Sequence, residues 1–222
     1  MNLSQESLAG RIAVLHMSGL SQHEIYGSGQ CEPFRAAACR TGQMLNIHDI
    51  AQDVGMTDDT AKRWLQIMEK SDVIFFLRPY SNHLLKRTVK TPKMYFFDTG
   101  LVAYLTRYSS AEILANGAIN GAILENYVVS EILKSYQNHA EECMLWYYRD
   151  KSSNEIDMVM ESDGCLLPLE IKRSVNPARE LVNTFRLLDK ASVPRGTGAV
   201  LCMRPKLTAI DAENFIVLIW MI

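Results

Sequence analysis

No stretch of this 222-residue chain supplies the roughly 18 uninterrupted apolar residues that a membrane span requires. Its opening Met-Asn-Leu-Ser-Gln-Glu lacks the basic and apolar regions of a secretory signal, so a cytoplasmic protein is expected. Cysteine is scarce and scattered. Cys31, Cys39, Cys143, Cys165 and Cys202 form no CxxC and have no histidine at zinc spacing, which excludes a zinc motif and leaves reduced, mostly buried thiols as the expectation. Neither sign of charge dominates: 23 Lys and Arg face 25 Asp and Glu, and the net charge of −2 confines any nucleic-acid surface to a local patch. The phosphate-binding pattern GxxxxGK[ST] is missing, and so are internal repeats and low-complexity segments. What is present, 48% hydrophobic and 22% charged residues, is enough for one large or two small cores.

Three regions succeed one another. Residues 1–30 read as a remnant and linker: Leu8 to Leu15 has strand-like apolar content but no earlier segment to pair with, and Gly27 and Gly29 come after it. Residues 31–108 change pattern. A helix over Phe34 to Arg40 ends at Thr41-Gly42, Asn46 caps a helix over 47–54 that Gly55 closes, and Thr57 caps a third over 58–71. Val73 to Leu77 and Met94 to Phe97 then read as strands joined by a basic loop. Helix, helix–turn–helix and two-stranded wing are the order of a winged-helix domain. Residues 109–222 give α-β-β-β-α-β-β. A long helix runs from Asn120 or Gly121 through Tyr136, burying Ile123, Tyr127, Val128, Ile132 and Leu133. Strands are expected over 144–148 and on either side of residues 163–164, then a helix from Pro177 to about Ala191 and strands over 198–203 and 215–221. The expected class is α/β, a small winged helix followed by a restriction-endonuclease-like domain.

The densest chemistry lies in a hairpin. Met158-Val-Met160 and Leu166-Leu167 flank Asp163-Gly164, a strong signal for a two-residue turn. That turn sets Asp157 opposite Glu170 and Glu155 opposite Lys172, all on one face, with Ile156 and Ile171 on the other. Carboxylates facing across a ladder repel, and a divalent cation with oxygen ligands offsets the repulsion. Asp157, Glu170 and the Ile171 carbonyl are therefore expected to hold Mg2+ or Mn2+, with Lys172 stabilising developing negative charge in phosphodiester hydrolysis. Glu125 or Glu131, on the preceding helix, is placed to approach. The bland alternative is a solvated face with Glu155–Lys172 and Glu170–Lys172 as surface pairs.

A second candidate is the basic loop. Between residues 57 and 95 there are eight basic and four acidic residues, and Lys62, Arg63, Lys86, Arg87, Lys90 and Lys93 suit contact with DNA phosphates. Asp58 and Asp59 sit where a recognition helix meets bases, so a protein-docking module is an equal alternative. The tryptophans and the Tyr147-Tyr148 pair fall at core or strand positions. The histidines are dispersed.

A string of motifs in order carries a resemblance across nearly the whole chain: Ser7-Leu-Ala-Gly-Arg11, Ala61-Lys-Arg-Trp64-Leu65, Leu85-Lys-Arg87, Lys90-Thr-Pro-Lys93, Tyr95 to Leu101, Leu124-Glu-Asn126, Tyr147 to Asp150, Glu155-Ile-Asp157 and Glu170-Ile-Lys172. It resembles the C-terminal half of a large family of bacterial and archaeal P-loop ATPases. There an AAA-type core precedes a winged helix and a C-terminal domain of unassigned function similar to PD-(D/E)xK nucleases. The resemblance places nuclease-like residues at Glu125, Asp157, Glu170 and Lys172 and puts the ATPase core upstream of Met1. ATP is expected to bind the intact family but not this chain. The implied function is a DNA-associated module with a nuclease-like domain, or a non-catalytic nucleic-acid- or protein-binding module that keeps the same fold.

Overall fold

Capping side chains set where the first helices begin. The computed structural model describes residues 32–81 and 90–221, so the expected remnant over residues 1–30 lies outside the described residues. Helix α1 spans Glu32–Ala38, α2 Ile47–Val54 and α3 Asp58–Lys70. The Asn46 side chain accepts the Asp49 amide at one end of α2, and Gly55 closes the other at φ 67°. Thr57 does for α3 what Asn46 does for α2, accepting the Thr60 amide. Strand β1 (Ile74–Leu77) then pairs antiparallel with β2 (Lys93–Phe96), Ile74 facing Phe96.

Both faces of that ribbon are buried. Ile74, Met94 and Phe96 pack against Ile50, Leu65 and Met68 of the helices. Phe75, Leu77 and Tyr95 pack on the other side against Val128, Val129 and Ile132. Two-sided burial is why these strands read as unbroken apolar runs. It also fuses the helical half to the sheet half, and Glu32–Ile222 forms one compact unit.

Two short helices that the sequence pattern passes over come next, α4 (Thr99–Leu105) and α5 (Ala111–Asn116). Asp98 and Ser110 cap them, so their starts are set by polar side chains and not by apolar periodicity. The long helix α6 spans Asn120–Asn138. Its fully buried Asn126 donates to the Phe96 carbonyl at 2.6 Å, accepts the Phe96 amide at 2.8 Å and also accepts from the Thr41 hydroxyl. Tyr127, expected inside, is 43% exposed because it falls outside the buried arc that contains Asn126, Val129 and Ile132.

The remaining strands are β3 (Leu145–Arg149), β4 (Glu155–Ser162), β5 (Cys165–Ile171), β6 (Gly198–Cys202), β7 (Thr208–Ala209) and β8 (Asn214–Leu218). They form one mixed sheet in the order β3-β4-β5-β6-β8-β7. The first three are antiparallel, while β6 runs parallel to both β5 and β8. Between β5 and β6 lies a 3₁₀ helix, Arg179–Lys190, whose buried Val182, Phe185 and Leu188 recur every third residue. Three residues per turn is the 3₁₀ repeat, so the apolar spacing fits this winding better than an α-helix. The mixed α/β class thus matches the expectation. The described thiols do not: Cys202 is buried at the end of β6, Cys143 and Cys165 are half-buried and Cys39 is exposed, Cys165 because it opens β5 next to the hairpin turn. No described helix is long and apolar enough to cross a membrane.

Asp163 and Gly164 both have positive φ, 51° and 71°, the requirement of a type I′ hairpin turn. Ser162 accordingly faces Cys165 and Met158 faces Leu169. Nothing lies within 4 Å of where a Cβ on Gly164 would stand, so Gly164→Ala meets only backbone strain. It is expected to lower stability by about 1 kcal/mol, read as a shifted urea midpoint with unchanged slope.

Candidate functional site

The topology gathers charged residues at one sheet edge. Because β4 is antiparallel to β3 and β5, its first residues lie beside the last residues of both. The ladder between β4 and β5 stops at Met158–Leu169. Beyond it Asp157 takes over, its Oδ2 accepting the Ile171 amide at 2.8 Å. The Lys172 ammonium stands 3.2 Å from that oxygen and 2.6 Å from Glu170 Oε1, so one cation spans both acids. Both acids are buried, and Glu170 Oε2 has no hydrogen-bond partner. Burial, and then repulsion by Asp157, push the Glu170 carboxyl up to about 7 against the weaker pull of Lys172. Burial opposes the charge on Lys172, but the two acids outweigh it and hold the ammonium above its ordinary value.

The expected Glu155–Lys172 pairing is not made. Register cannot be extended past the end of the ladder, and Ile156 and Ile171 pack into separate cores in place of sharing a face. Glu155 instead faces Arg149 across β3–β4, binds its guanidinium, and lies 2.5 Å from the Lys93 ammonium. Lys93 is likewise corrected. It does not stand on an exposed wing but is 4% exposed, the first residue of β2, 2.8 Å from Glu125 and beneath the Tyr147 ring. The two carboxylates are the reason a lysine is tolerated there, and although burial works against its charge they hold it above its ordinary value. The Tyr95 hydroxyl completes the group, donating to Glu125 at 2.6 Å. Burial also raises the Glu125 carboxyl, with Asp157 adding to the rise against the pull of Lys93, so the two clusters share one field. Glu131 is apart, paired with Lys134.

Lys62 and Lys90 are brought together. With Arg78 they line an open cleft of about 540 Å³ floored by Leu65, Phe76 and Pro92. Arg63 is exposed but does not line it, and Lys86 and Arg87 lie outside the described residues.

Among the described residues no group of three or more His, Cys, Asp or Glu is arranged to hold a metal ion. Mg2+ nevertheless asks for only one or two carboxylates, with water and phosphate completing its shell. Asp157 and Glu170 meet that demand, and the unpartnered Glu170 oxygen is an acceptor without a use in the protein alone. The donor set fits.

Residues 32–112 match a domain of unknown function, DUF8612. Residues 120–221 match a second, DUF4143, which is usually associated with AAA-ATPase-type proteins. Uncharacterized proteins of Mycobacterium bovis and Mycobacterium tuberculosis are each 27% identical to the chain over 137 residues, 62% of its length. The chain spans only 30% of the length of these relatives. No solved structure matches it.

Proposed function

We propose that the helical half is a winged helix and the sheet half a PD-(D/E)xK-like domain, together forming a DNA-associated module of an AAA-type ATPase. In this reading Asp157, Glu170 and Lys172 are a metal-dependent phosphodiesterase site. The observation that carries it is the buried acid pair under one ammonium, with a carboxylate oxygen unpartnered, at the open ends of strands. Asp157 and Glu170, with the Ile171 carbonyl, would hold Mg2+ or Mn2+, which would polarise the scissile phosphate and acidify a water. Lys172 stays protonated, so it offsets charge developing on the phosphate and does not abstract a proton. Glu125 shapes the field from behind, through Lys93.

The wing base supports a joint role for the two halves. Tyr80 and Tyr147 exchange backbone hydrogen bonds with each other's strands at 2.6 and 3.1 Å, and the Tyr147 hydroxyl donates to the Thr91 carbonyl. Nucleic acid held at Lys62, Arg78 and Lys90 then runs beside the strand that ends at Arg149. The DUF4143 match supports the ATPase connection, whether that core lies on the same or a separate polypeptide.

The test is nicking of supercoiled, linear and single-stranded DNA with each metal. Cleavage is expected in wild type and absent in Asp157→Asn and Lys172→Ala, with unfolding curves checking the fold. Silence of the wild type on all substrates with both ions removes the catalytic version. A second reading has its own support, since Lys172 already pairs with both acids and no third acid joins them among the described residues. A non-catalytic docking module would bind DNA or a protein equally well as Asp157→Asn and take up no Mn2+.

A further inference from the structure

The same sheet edge carries cations that neither the wing nor the acid cluster uses. Because β5 and β6 are parallel, the loops that leave their ends do so on the side where Asp157 and Glu170 sit. The Lys172 amide donates to the Leu201 carbonyl at 2.9 Å, so Arg173 departs level with the end of β6, where Met203 and Arg204 begin the other loop. Beyond Lys172, residues 173–179 and 203–208 hold four basic residues and no acidic one, in a protein of net charge −2. Arg173 and Lys206 are exposed and Arg204 half-exposed, and none of the three makes an ion pair among the described residues. Among the described residues Arg35, Arg40, Arg149 and Arg195 have acidic partners while Arg63, Arg107 and Arg186 do not, so what sets these three cations apart is their place on two neighbouring loops that hold no acid. Unpaired guanidinium groups beyond the carboxyl ends of parallel strands stand where ligands of open α/β sheets bind.

We infer that Arg173, Arg204 and Lys206 form a second phosphate-binding surface, distinct from the wing, that grips a nucleic-acid backbone on the far side of the acid pair. The inference deepens the phosphodiesterase reading and rests on it, because it takes the substrate to be a polymer of phosphodiesters. A duplex then spans from Lys62 and Lys90 across the strand ends to these loops. Arginine suits the task, since its fork binds phosphate through two parallel hydrogen bonds. Val175, Met203 and Leu207 are exposed on the same loops, which makes an anionic lipid surface the rival occupant. The loops leave strands whose ends carry two buried acids, and a phosphodiester chain can pass those acids on its way between cations, whereas a continuous anionic lipid face is repelled by them.

The test is anisotropy of a labelled DNA duplex and, in parallel, an RNA duplex of the same sequence, both in EDTA with the full chain. Arg173→Ala/Arg204→Ala/Lys206→Ala is expected to weaken binding of the preferred duplex at least tenfold near 0.1 M salt. The slope of log K against log salt should fall by about 2.7, at about 0.9 for each phosphate no longer neutralised. Thermal unfolding should match wild type, and Arg173→Lys/Arg204→Lys should keep the salt slope while losing the part of the affinity that the paired hydrogen bonds supply. Unchanged affinity and slope in the triple variant overturn the inference. So does a wild type that binds neither duplex, or that binds phosphatidylglycerol vesicles and neither duplex. Failure of the phosphodiesterase reading shows separately, as absent Mn2+-dependent cleavage by wild type.

Discussion

Lys93→Met is expected to destabilise the protein by about 3–5 kcal/mol, the loss typical of a buried ion pair stripped of one partner. The ammonium lies 2.8 Å from Glu125 and 2.5 Å from Glu155, and both acids stay largely buried after it is gone. Arg149 still holds Glu155 and the Tyr95 hydroxyl still holds Glu125, so the damage concentrates on Glu125, which loses its one cation among the described residues. Its carboxyl, already raised by burial, then rises further. A raised carboxyl means the folded state holds its proton to higher pH than the unfolded state, so the deficit is largest near pH 8 and shrinks toward pH 5. Urea unfolding at the two pH values reads both parts. A lysine on a solvated wing behaves differently: stability within about 0.5 kcal/mol of wild type, with weaker DNA binding. That outcome would put Lys93 on an exposed face and leave the buried cluster without a role in stability.

The hairpin was legible because its determinants are local. A two-residue turn with positive φ at both positions admits few sequences, and Asp163-Gly164 is one of them. Helix starts at Asn46 and Thr57 were legible for the same reason. The partners of Glu155 and Lys93 were not. Their contact joins residues far apart in sequence, and it depends on β2 lying between two cores, which no short window records. One signal was available. Lys93 opens the run Lys93-Met-Tyr-Phe-Phe97, all but the last buried, and a charge at the mouth of a fully buried strand requires an acid nearby. The cations of residues 173–206 are marked by no motif; only the parallel pairing of β5 and β6 makes two separate loops one surface.

Between pH 5 and pH 8 the affinity for Mn2+ is expected to rise by about two orders of magnitude and the stability of the metal-free chain to fall. Both stem from a Glu170 carboxyl raised from 4.5 to about 7 by burial and by Asp157. Below about 4.5 the group is protonated folded or unfolded, and its contribution to stability is intact. As pH climbs, the unfolded chain ionises freely while the folded one keeps its proton, so stability drains away until about pH 7 and then levels. The full displacement corresponds to about 3 kcal/mol. A divalent ion must displace that proton, which is why affinity gains up to tenfold per pH unit below 7 and little above. Mn2+ is accordingly expected to restore at pH 8 most of what ionisation removed, and to restore little at pH 5. Glu125 shifts in the same direction and keeps its own share of the fall, so the difference between wild type and Glu170→Gln isolates the effect: the variant, neutral at this position throughout, should show a shallower stability profile over this range and no rise in Mn2+ affinity. Calorimetric titration and urea unfolding at several pH values decide it. If wild type binds Mn2+ equally at both ends of the range, the ion sits elsewhere than between Asp157 and Glu170, and Lys172 serves to pair two structural acids.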